Sequence, residues 1–295
     1  MITKKIYFIL WMVLAITLPA FCMAVEDKRS HEVLVSIAPY QFAVKAIGGA
    51  TVTVDLLVPP GASFHTFEPT PKQILKSSHA DIWFRIGELF ENRAIQAMRS
   101  HHPSMRIVDL REGVDLIVFD SNHHCHCCPN EGADLHIWLS PKMMKVQAKQ
   151  IANALTEVYP EHRQQYAERL EKFTAQLDAV DQEIRDILKP LKARTILVSH
   201  PSYGYFARDY GLEQMSIEFE GKDPSPRQLT ELLNQARASH IKTIYIQNQY
   251  SSRGANLIAG ELGANVVALD PYSGDYFATL REIALRIAEQ EKKAP

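Results

Sequence analysis

The sequence has no large excess of charge of either sign. Its 295 residues carry 32 lysines and arginines against 34 aspartates and glutamates, for a formal net charge of -2 at pH 7. A face that binds a nucleic-acid backbone would need a surplus of cationic side chains. The composition therefore gives no indication of a nucleic-acid partner.

Long apolar segments are equally scarce. The single long run covers residues 6–21, follows two lysines, and is followed by Cys22 and Ala24. A basic start, a short apolar core and small residues before a cleavage point are typical of a secretory signal peptide. The run holds about 16 residues, whereas a spanning helix needs about 20. We predict that residues 1–24 are a signal peptide and that the mature chain, from Val25, is periplasmic; a retained anchor or a lipid anchor on Cys22 are alternatives.

Strand-like and helix-like patterns alternate along the rest of the chain. This rhythm predicts an α/β fold built on parallel, doubly wound sheets. The helices are expected at 40–47, 71–78, 88–98, 141–158, 203–210, 226–238, 251–262 and 275–291. The strands are expected at 33–37, 51–58, 80–86, 105–110, 116–119, 195–199, 215–219, 243–247 and 265–269.

One segment has a more regular pattern than any other. Apolar residues recur at steps of four and three from Tyr166 to Ile187, which predicts one amphipathic helix over 161–189, ended by Pro190. Such a helix would be about 40 Å long. We interpret it as a rigid connection, spanning 159–190, between an N-terminal lobe (25–158) and a C-terminal lobe (191–295) of a monomer. The alternative is the seam of a coiled-coil dimer.

Four chemically suitable metal ligands lie far apart in the sequence. His65, His200 and Asp270 each follow a predicted strand, and His136 precedes a predicted helix. Open α/β sheets bind ligands at the carboxyl ends of their strands. Imidazole nitrogens and a carboxylate are ligands that Zn2+ accepts in a tetrahedron. Two ligands come from each half of the chain, so we expect a metal site in the cleft between the lobes.

Five segments of the chain form recognisable motifs: HTFEPTP, DLHIWLSP, VSHPSYGYFARDYGL, EFEGKDPSPRQL and IYIQNQYSSRGANLIAGELGANVVALDP. They resemble motifs of a known family, the cluster A-I metal-binding proteins of ABC importers, which serve zinc or manganese uptake. The similarity covers essentially the whole mature chain. It implies that His65, His136 and His200 are metal ligands, that Asp270 is the fourth, with a water or another carboxylate as the alternative, and that the partner is a membrane permease. The third ligand in manganese members is usually glutamate, so His200 favours zinc over manganese.

A cluster of histidines and cysteines interrupts the α/β pattern within the polar loop 120–134. Neutral imidazole and thiolate both bind Zn2+, so we predict an auxiliary loop that collects metal and passes it to the cleft. A disordered polar insert and a local disulfide are alternatives. The cluster consists of His123, His124, Cys125, His126, Cys127 and Cys128.

Other functions remain open at this stage. A zinc hydrolase could use Glu68 as a base, but the sequence lacks an HExxH motif. Glu68 could instead accept a hydrogen bond from a ligand imidazole, or simply begin the following helix. A metal-dependent adhesin is a further alternative. We expect a non-enzymatic zinc carrier whose affinity falls as the pH drops through about 6.5, the ordinary range of histidine.

Overall fold

The computed structural model describes residues 31–118, 132–218, 224–250 and 252–290. Strands and helices alternate throughout these residues, as the sequence pattern predicts. The strands are β1 (His31–Val35), β2 (Val52–Leu56), β3 (Ile82–Arg85), β4 (Arg106–Asp109), β5 (Thr195–Val198), β6 (Glu213–Ser216), β7 (Thr243–Ile246) and β8 (Asn265–Ala268). The helices are α1 (Ala38–Gly48), α2 (Pro71–Ser77), α3 (Leu89–His101), α4 (Pro141–Val158), α5 (Arg163–Leu188), α6 (Gly204–Tyr210), α7 (Pro226–Ala238), α8 (Arg253–Leu262) and α9 (Tyr276–Glu289).

Two four-stranded parallel sheets form the lobes. The N-terminal sheet has the order β2-β1-β3-β4 and the C-terminal sheet the order β6-β5-β7-β8. In each, the chain first adds a strand on one side of the starting strand and then crosses to the other side. The connections that follow neighbouring strands therefore leave in opposite directions, which opens a crevice at the carboxyl ends of the strands. The predicted doubly wound architecture is therefore confirmed in both lobes.

Helix α5 is the structural connection between the lobes. Its 26 residues contain no proline or glycine, so it runs unbroken for about 39 Å. It packs against α1 and α4 on one side of the molecule and against α6 and α9 on the other. Its apolar face belongs to a single core that includes residues of both lobes, such as Val33 and Leu280. The predicted linking helix is confirmed. The coiled-coil alternative is wrong, because this apolar face is buried within the chain itself.

Local sequence signals explain where several helices begin. The side chains of Thr70 and Ser225 each accept a hydrogen bond from the backbone N–H of the glutamine three residues later. The side chain of that glutamine in turn accepts a hydrogen bond from the backbone N–H of the capping residue. Ser140 caps α4 in a similar way, with its side chain accepting from the Met143 N–H. Each of these caps is followed by proline, whose missing N–H costs nothing in a first helical turn.

Two strand predictions differ from the structure. No strand forms at the described residues 116–118; Val118 makes only an isolated antiparallel bridge to Ala133. This segment instead crosses to the other lobe, where the Ile117 N–H donates to the Tyr205 hydroxyl at 3.0 Å. Strand β6 begins at Glu213, two residues before the predicted start, because it pairs in register with β5 from Thr195 onward. Among the described residues, no helix is long and apolar enough to cross a membrane.

Candidate metal centre

Three histidines from distant parts of the chain meet between the lobes. One ring nitrogen each of His65, His136 and His200 lies within 4.8 Å of the other two. His65 comes from the loop after β2, His136 from the segment leading into α4, and His200 from the end of β5. The sequence prediction that these imidazoles converge agrees with this geometry.

The spacing of these nitrogens suits a tetrahedral ion. Nε2 of His200 lies 3.2 Å from Nε2 of His65. Zinc–nitrogen bonds of roughly 2.0–2.1 Å hold neighbouring ligand atoms about 3.3 Å apart. Two unprotonated imidazole nitrogens at this distance direct their lone pairs at each other, which is unfavourable without a cation between them. The arrangement therefore favours binding of a small divalent metal.

A carboxylate faces the other nitrogen of each ring. Nδ1 of His136 lies 2.7 Å from Oδ1 of Asp134, and Nδ1 of His200 lies 2.7 Å from Oε2 of Glu218. Nδ1 of His65 lies 2.8 Å from Oε1 of Glu88. An Nδ1–H that donates to a carboxylate leaves the Nε2 lone pair free and makes it a stronger metal ligand. The Nε2 atoms of His136 and His200 thus carry a lone pair suited to a metal.

The His65–Glu88 contact is less well directed than the other two. The atoms are close, but neither Nδ1 of His65 nor Oε1 of Glu88 has a hydrogen-bond partner in favourable alignment. Glu88 itself is held firmly at the start of α3. The carboxylate of Glu91 accepts from the N–H groups of Glu88, Gly87 and Ile86 at 2.8, 2.7 and 3.0 Å. The small misalignment is therefore one that a ring rotation of His65 onto a metal could correct.

Burial determines the charge of the site. The side chains of His65, His136 and His200 are 3%, 1% and 1% exposed. Burial lowers the pKa of His65 to about 4 and also lowers the pKa of His136 and of His200. Burial raises the pKa of Glu88 to about 8 and that of Asp134 to about 7. At neutral pH the three imidazoles are therefore neutral, while the carboxyl groups of Glu88 and Asp134 are partly protonated.

Aromatic rings enclose the three histidines. The ring of Tyr250 stacks on His200 with centroids 4.2 Å apart, and Phe64 lies 4.1 Å from His65. Trp138 is fully buried beside His136 and donates from Nε1 to the carbonyl of Pro271 in the opposite lobe. These contacts exclude water and fix the rings. Trp138 belongs to the core and also closes the base of the cleft.

A tyrosine hydroxyl lies close to one of the three histidine rings. The Tyr272 hydroxyl lies 3.3 Å from Nε2 of His136 and 3.2 Å from the Tyr250 hydroxyl. Because Nδ1 of His136 carries the proton shared with Asp134, Tyr272 donates to Nε2. A metal that binds this nitrogen must displace that hydrogen bond.

The structure does not bring Asp270 into the group of three. Asp270 is exposed, and its Oδ1 accepts from Nε2 of Gln249 at 2.8 Å and from the N–H of Tyr272 at 3.1 Å. It lines a neighbouring cavity of about 300 Å³ that is bordered by both lobes. A role for Asp270 as the fourth ligand stays a prediction.

Glu68 is not the carboxylate that orients a ligand. Its side chain is 64% exposed and lies 3.3 Å from Arg93, while Thr70 supplies the cap of α2. The contact expected of Glu68 is made by Glu88, which follows β3 in the same lobe. No sequence motif pointed to Glu88, since only the topology brings the end of β3 beside the loop after β2. Asp134 and Glu218 lie inside the quoted motifs, but their roles were not assigned.

The histidine- and cysteine-rich cluster lies outside the described residues, as does the predicted signal peptide over 1–24. The six cluster residues occupy 123–128 in the segment 119–131. The described residues on either side, Val118 and Ala133, are bridged to each other. Ala133 directly precedes Asp134, the carboxylate partner of His136. The auxiliary-site assignment stays a prediction.

Fold and site together define a class: a two-lobed α/β binding protein with a buried three-histidine centre between lobes that share one rigid helix. The family model that matches residues 33–290 is that of ZnuA, the periplasmic component A of a zinc-uptake complex. The chain therefore belongs to the ZnuA family, which confirms the resemblance noted in its motifs.

Individual relatives agree with this assignment. The chain is 35% identical over 266 residues to a Chlamydia muridarum protein whose name describes it as metal-binding, covering 90% of this chain and 93% of that one. It is 29% identical over 257 residues to the Bacillus subtilis high-affinity zinc uptake system protein ZnuA, covering 84% and 80%. A crystal structure of a zinc-bound ZnuA deletion mutant superimposes with a TM-score of 0.83 at 36% identity, covering 90% of this chain and all of that one.

Proposed function

We propose that this protein captures one Zn2+ ion between its lobes and delivers it to the membrane permease of an ABC importer. His65, His136 and His200 are the proposed ligands. The observation that carries the proposal is the convergence of three buried ring nitrogens whose opposite nitrogens each face a carboxylate. Membership of a zinc-uptake family supports the same function.

The donor set favours zinc over manganese. Three neutral imidazoles suit a borderline metal such as zinc, whereas manganese prefers carboxylate and water oxygens. The carboxylates of Glu88, Asp134 and Glu218 contact the outer ring nitrogens and so act behind the ligands. Relatives named for zinc uptake support this choice.

The distribution of ligands over the lobes suggests how the metal is released. His65 and His136 belong to the N-terminal half of the chain, and His200 with Glu218 belongs to the C-terminal half. A small separation of the lobes would withdraw His200 from the ion and leave two imidazoles, too few to hold zinc tightly. Binding of the permease to both lobe surfaces would drive this separation.

Export is part of the proposal. The segment 1–24 has the features of a signal peptide, and the family is described as periplasmic. A carrier in that compartment would meet zinc outside the inner membrane and present it to the permease there. The partner follows from the family rather than from any surface of this chain.

A hydrolytic function is not favoured by the geometry. A zinc hydrolase needs a carboxylate placed to take a proton from metal-bound water. Among the described residues, Glu88, Asp134 and Glu218 face imidazole nitrogens, and Glu68 pairs with Arg93 at the surface. The site is therefore suited to holding a metal rather than to using it as a catalyst.

Anaerobic zinc titration of the mature protein tests the proposal. The variants are His200→Ala, which removes a proposed ligand, and His79→Ala, which removes an exposed histidine outside the site. A chain lacking 121–130 separates the cleft from the loop. We expect tight binding of one zinc to be lost in His200→Ala and kept in the other two.

Two outcomes would contradict the proposal. Tight binding that survives in His200→Ala would show that the cleft is not the principal site. Tight binding that disappears on removal of 121–130, with the fold intact by circular dichroism, would move the principal site to the loop.

A further inference from the structure

A second group of potential metal ligands lies outside the cleft. His31 begins β1, while Glu161 and His162 lie in the short turn between α4 and α5. One ligand atom from each of the three lies within 4.8 Å of the other two. Because β1 runs from His31 toward the cleft, this group sits at the opposite end of the N-terminal sheet. It therefore cannot share a metal with the three central histidines.

Its distances are close to those of a tetrahedral site. Nε2 of His31 lies 3.3 Å from Oε1 of Glu161, the separation expected of two neighbouring zinc ligands. Nε2 of His162 lies 3.8 Å from the same oxygen. A ring rotation that moves Nε2 of His162 about 0.5 Å nearer to Oε1 of Glu161 would bring this pair to the same separation.

Buried tyrosines hold both imidazole rings in place. His31 packs on Tyr159 with ring centroids 4.0 Å apart, and His162 lies edge-on to Tyr166 at 5.9 Å. Each tyrosine is fixed in turn through its hydroxyl. Tyr159 donates to Oδ2 of Asp81 at 2.9 Å, and the Tyr166 hydroxyl is hydrogen-bonded to a threonine of the N-terminal lobe at 2.9 Å. The rings therefore lose little freedom when they bind a metal.

The surroundings are compatible with a cation. Glu161 supplies a carboxylate. The last turn of α4 ends at Val158, so its negative dipole end lies at the same corner and offsets the positive end of α5. The side chains of His31, Glu161 and His162 are 29%, 54% and 26% exposed. Solvent can thus provide the fourth ligand, and the ion can exchange freely.

We propose that His31, Glu161 and His162 form a second zinc site that ties the first strand of the N-terminal lobe to the start of the linking helix. Two imidazoles, one carboxylate and a water make up a common zinc coordination set. Partial exposure makes this site weaker than the cleft. Occupancy stabilises the junction of β1 with α5 and thereby raises the unfolding temperature, without any part in transport.

The test uses a full-length mature chain lacking only 121–130, so that the histidine- and cysteine-rich loop does not contribute. Zinc chloride is titrated while the ring 15N signals of the histidines are recorded. We expect a second, weaker equivalent of zinc that shifts Nε2 of His31 and His162. The variant with His31→Gln and His162→Gln should bind one zinc only, and a matched variant with His79→Gln and His101→Gln should still bind two.

Independence from the cleft is tested by adding His200→Ala. The weaker zinc should still bind and still raise the unfolding temperature in that background. The inference is overturned if the parent chain binds a single zinc, or if the second equivalent persists in the His31→Gln, His162→Gln variant. If the double variant unfolds, His162→Gln alone is tested instead, because His162 is part-exposed at the start of a helix. Loss of the second equivalent of zinc in this single variant supports the inference, and its persistence overturns it.

Discussion

Zinc capture should release protons from the carboxylates behind the ligands rather than from the ligands themselves. Burial lowers the pKa of His65 to about 4, so this ring is already neutral at pH 7. Burial raises the pKa of Glu88 to about 8 and that of Asp134 to about 7. A Zn2+ ion on Nε2 stabilises the anionic carboxylate behind each ring, which lowers both pKa values and expels the protons.

The expected number of protons follows from these pKa values. At pH 7 both carboxyl groups are therefore partly protonated in the metal-free protein, and zinc binding should release on the order of one proton per ion. Zinc affinity should rise with pH through the range of these two pKa values and level off only above the pKa of Glu88, about 8. If His65 and Glu88 share their proton, the pair still loses it, so the total is unchanged.

Isothermal titration calorimetry in buffers of different ionisation enthalpy measures this release. The chain lacking 121–130 should be used, with only the first equivalent of zinc analysed, so that cysteine thiols do not contribute. The Glu88→Gln variant removes one titrating carboxylate and should lower the release at pH 7. A wild-type release near zero, or a release that Glu88→Gln leaves unchanged, would refute the reasoning.

Two further substitutions have matched controls. At Gly204 an added Cβ would lie 2.7 Å from Oδ2 of Asp134, so Gly204→Ala should displace this carboxylate and weaken zinc binding about 10- to 100-fold in a competition titration. Gly260→Ala, with open space around the new atom, should leave the affinity unchanged. Leu177→Ala, at a fully buried position of α5, should lower the free energy of unfolding by about 2–5 kcal/mol in urea denaturation, whereas the half-exposed Leu257→Ala should cost about 0.5 kcal/mol or less.

Most of the fold could be predicted because its signals are local. The four-and-three spacing along α5 and the caps before α2, α4 and α7 depend only on neighbouring residues. Strand prediction failed where a strand depends on a pairing partner that is distant in the sequence. Apolar residues at 116–118 have the composition of a strand, but β4 is the last strand of the N-terminal sheet among the described residues, and the segment bonds to the opposite lobe instead.

The ligand candidates could be predicted because zinc chemistry restricts them to a few residue types and the strand ends restrict their positions. Their carboxylate partners could not be predicted in this way. Glu88 meets His65 only because the crossover from β2 to β3 brings two loops together at one edge of the sheet. Residue type alone predicts that zinc affinity changes near pH 6.5, the ordinary range of histidine. Burial lowers the pKa of these three histidines, and burial cannot be read from residue type.

The sequence by itself determined the alternation of strands and helices, the unbroken linking helix and which three imidazoles are candidate donors, because each rests on periodicity or on side-chain chemistry. Only the tertiary structure decided which nitrogen of each ring faces a carboxylate, which carboxylate that is, and that Asp270 lies apart from the group. These features depend on contacts between residues as far apart as His65 and His200, whose spacing is set by two packed sheets and not by the chain between them.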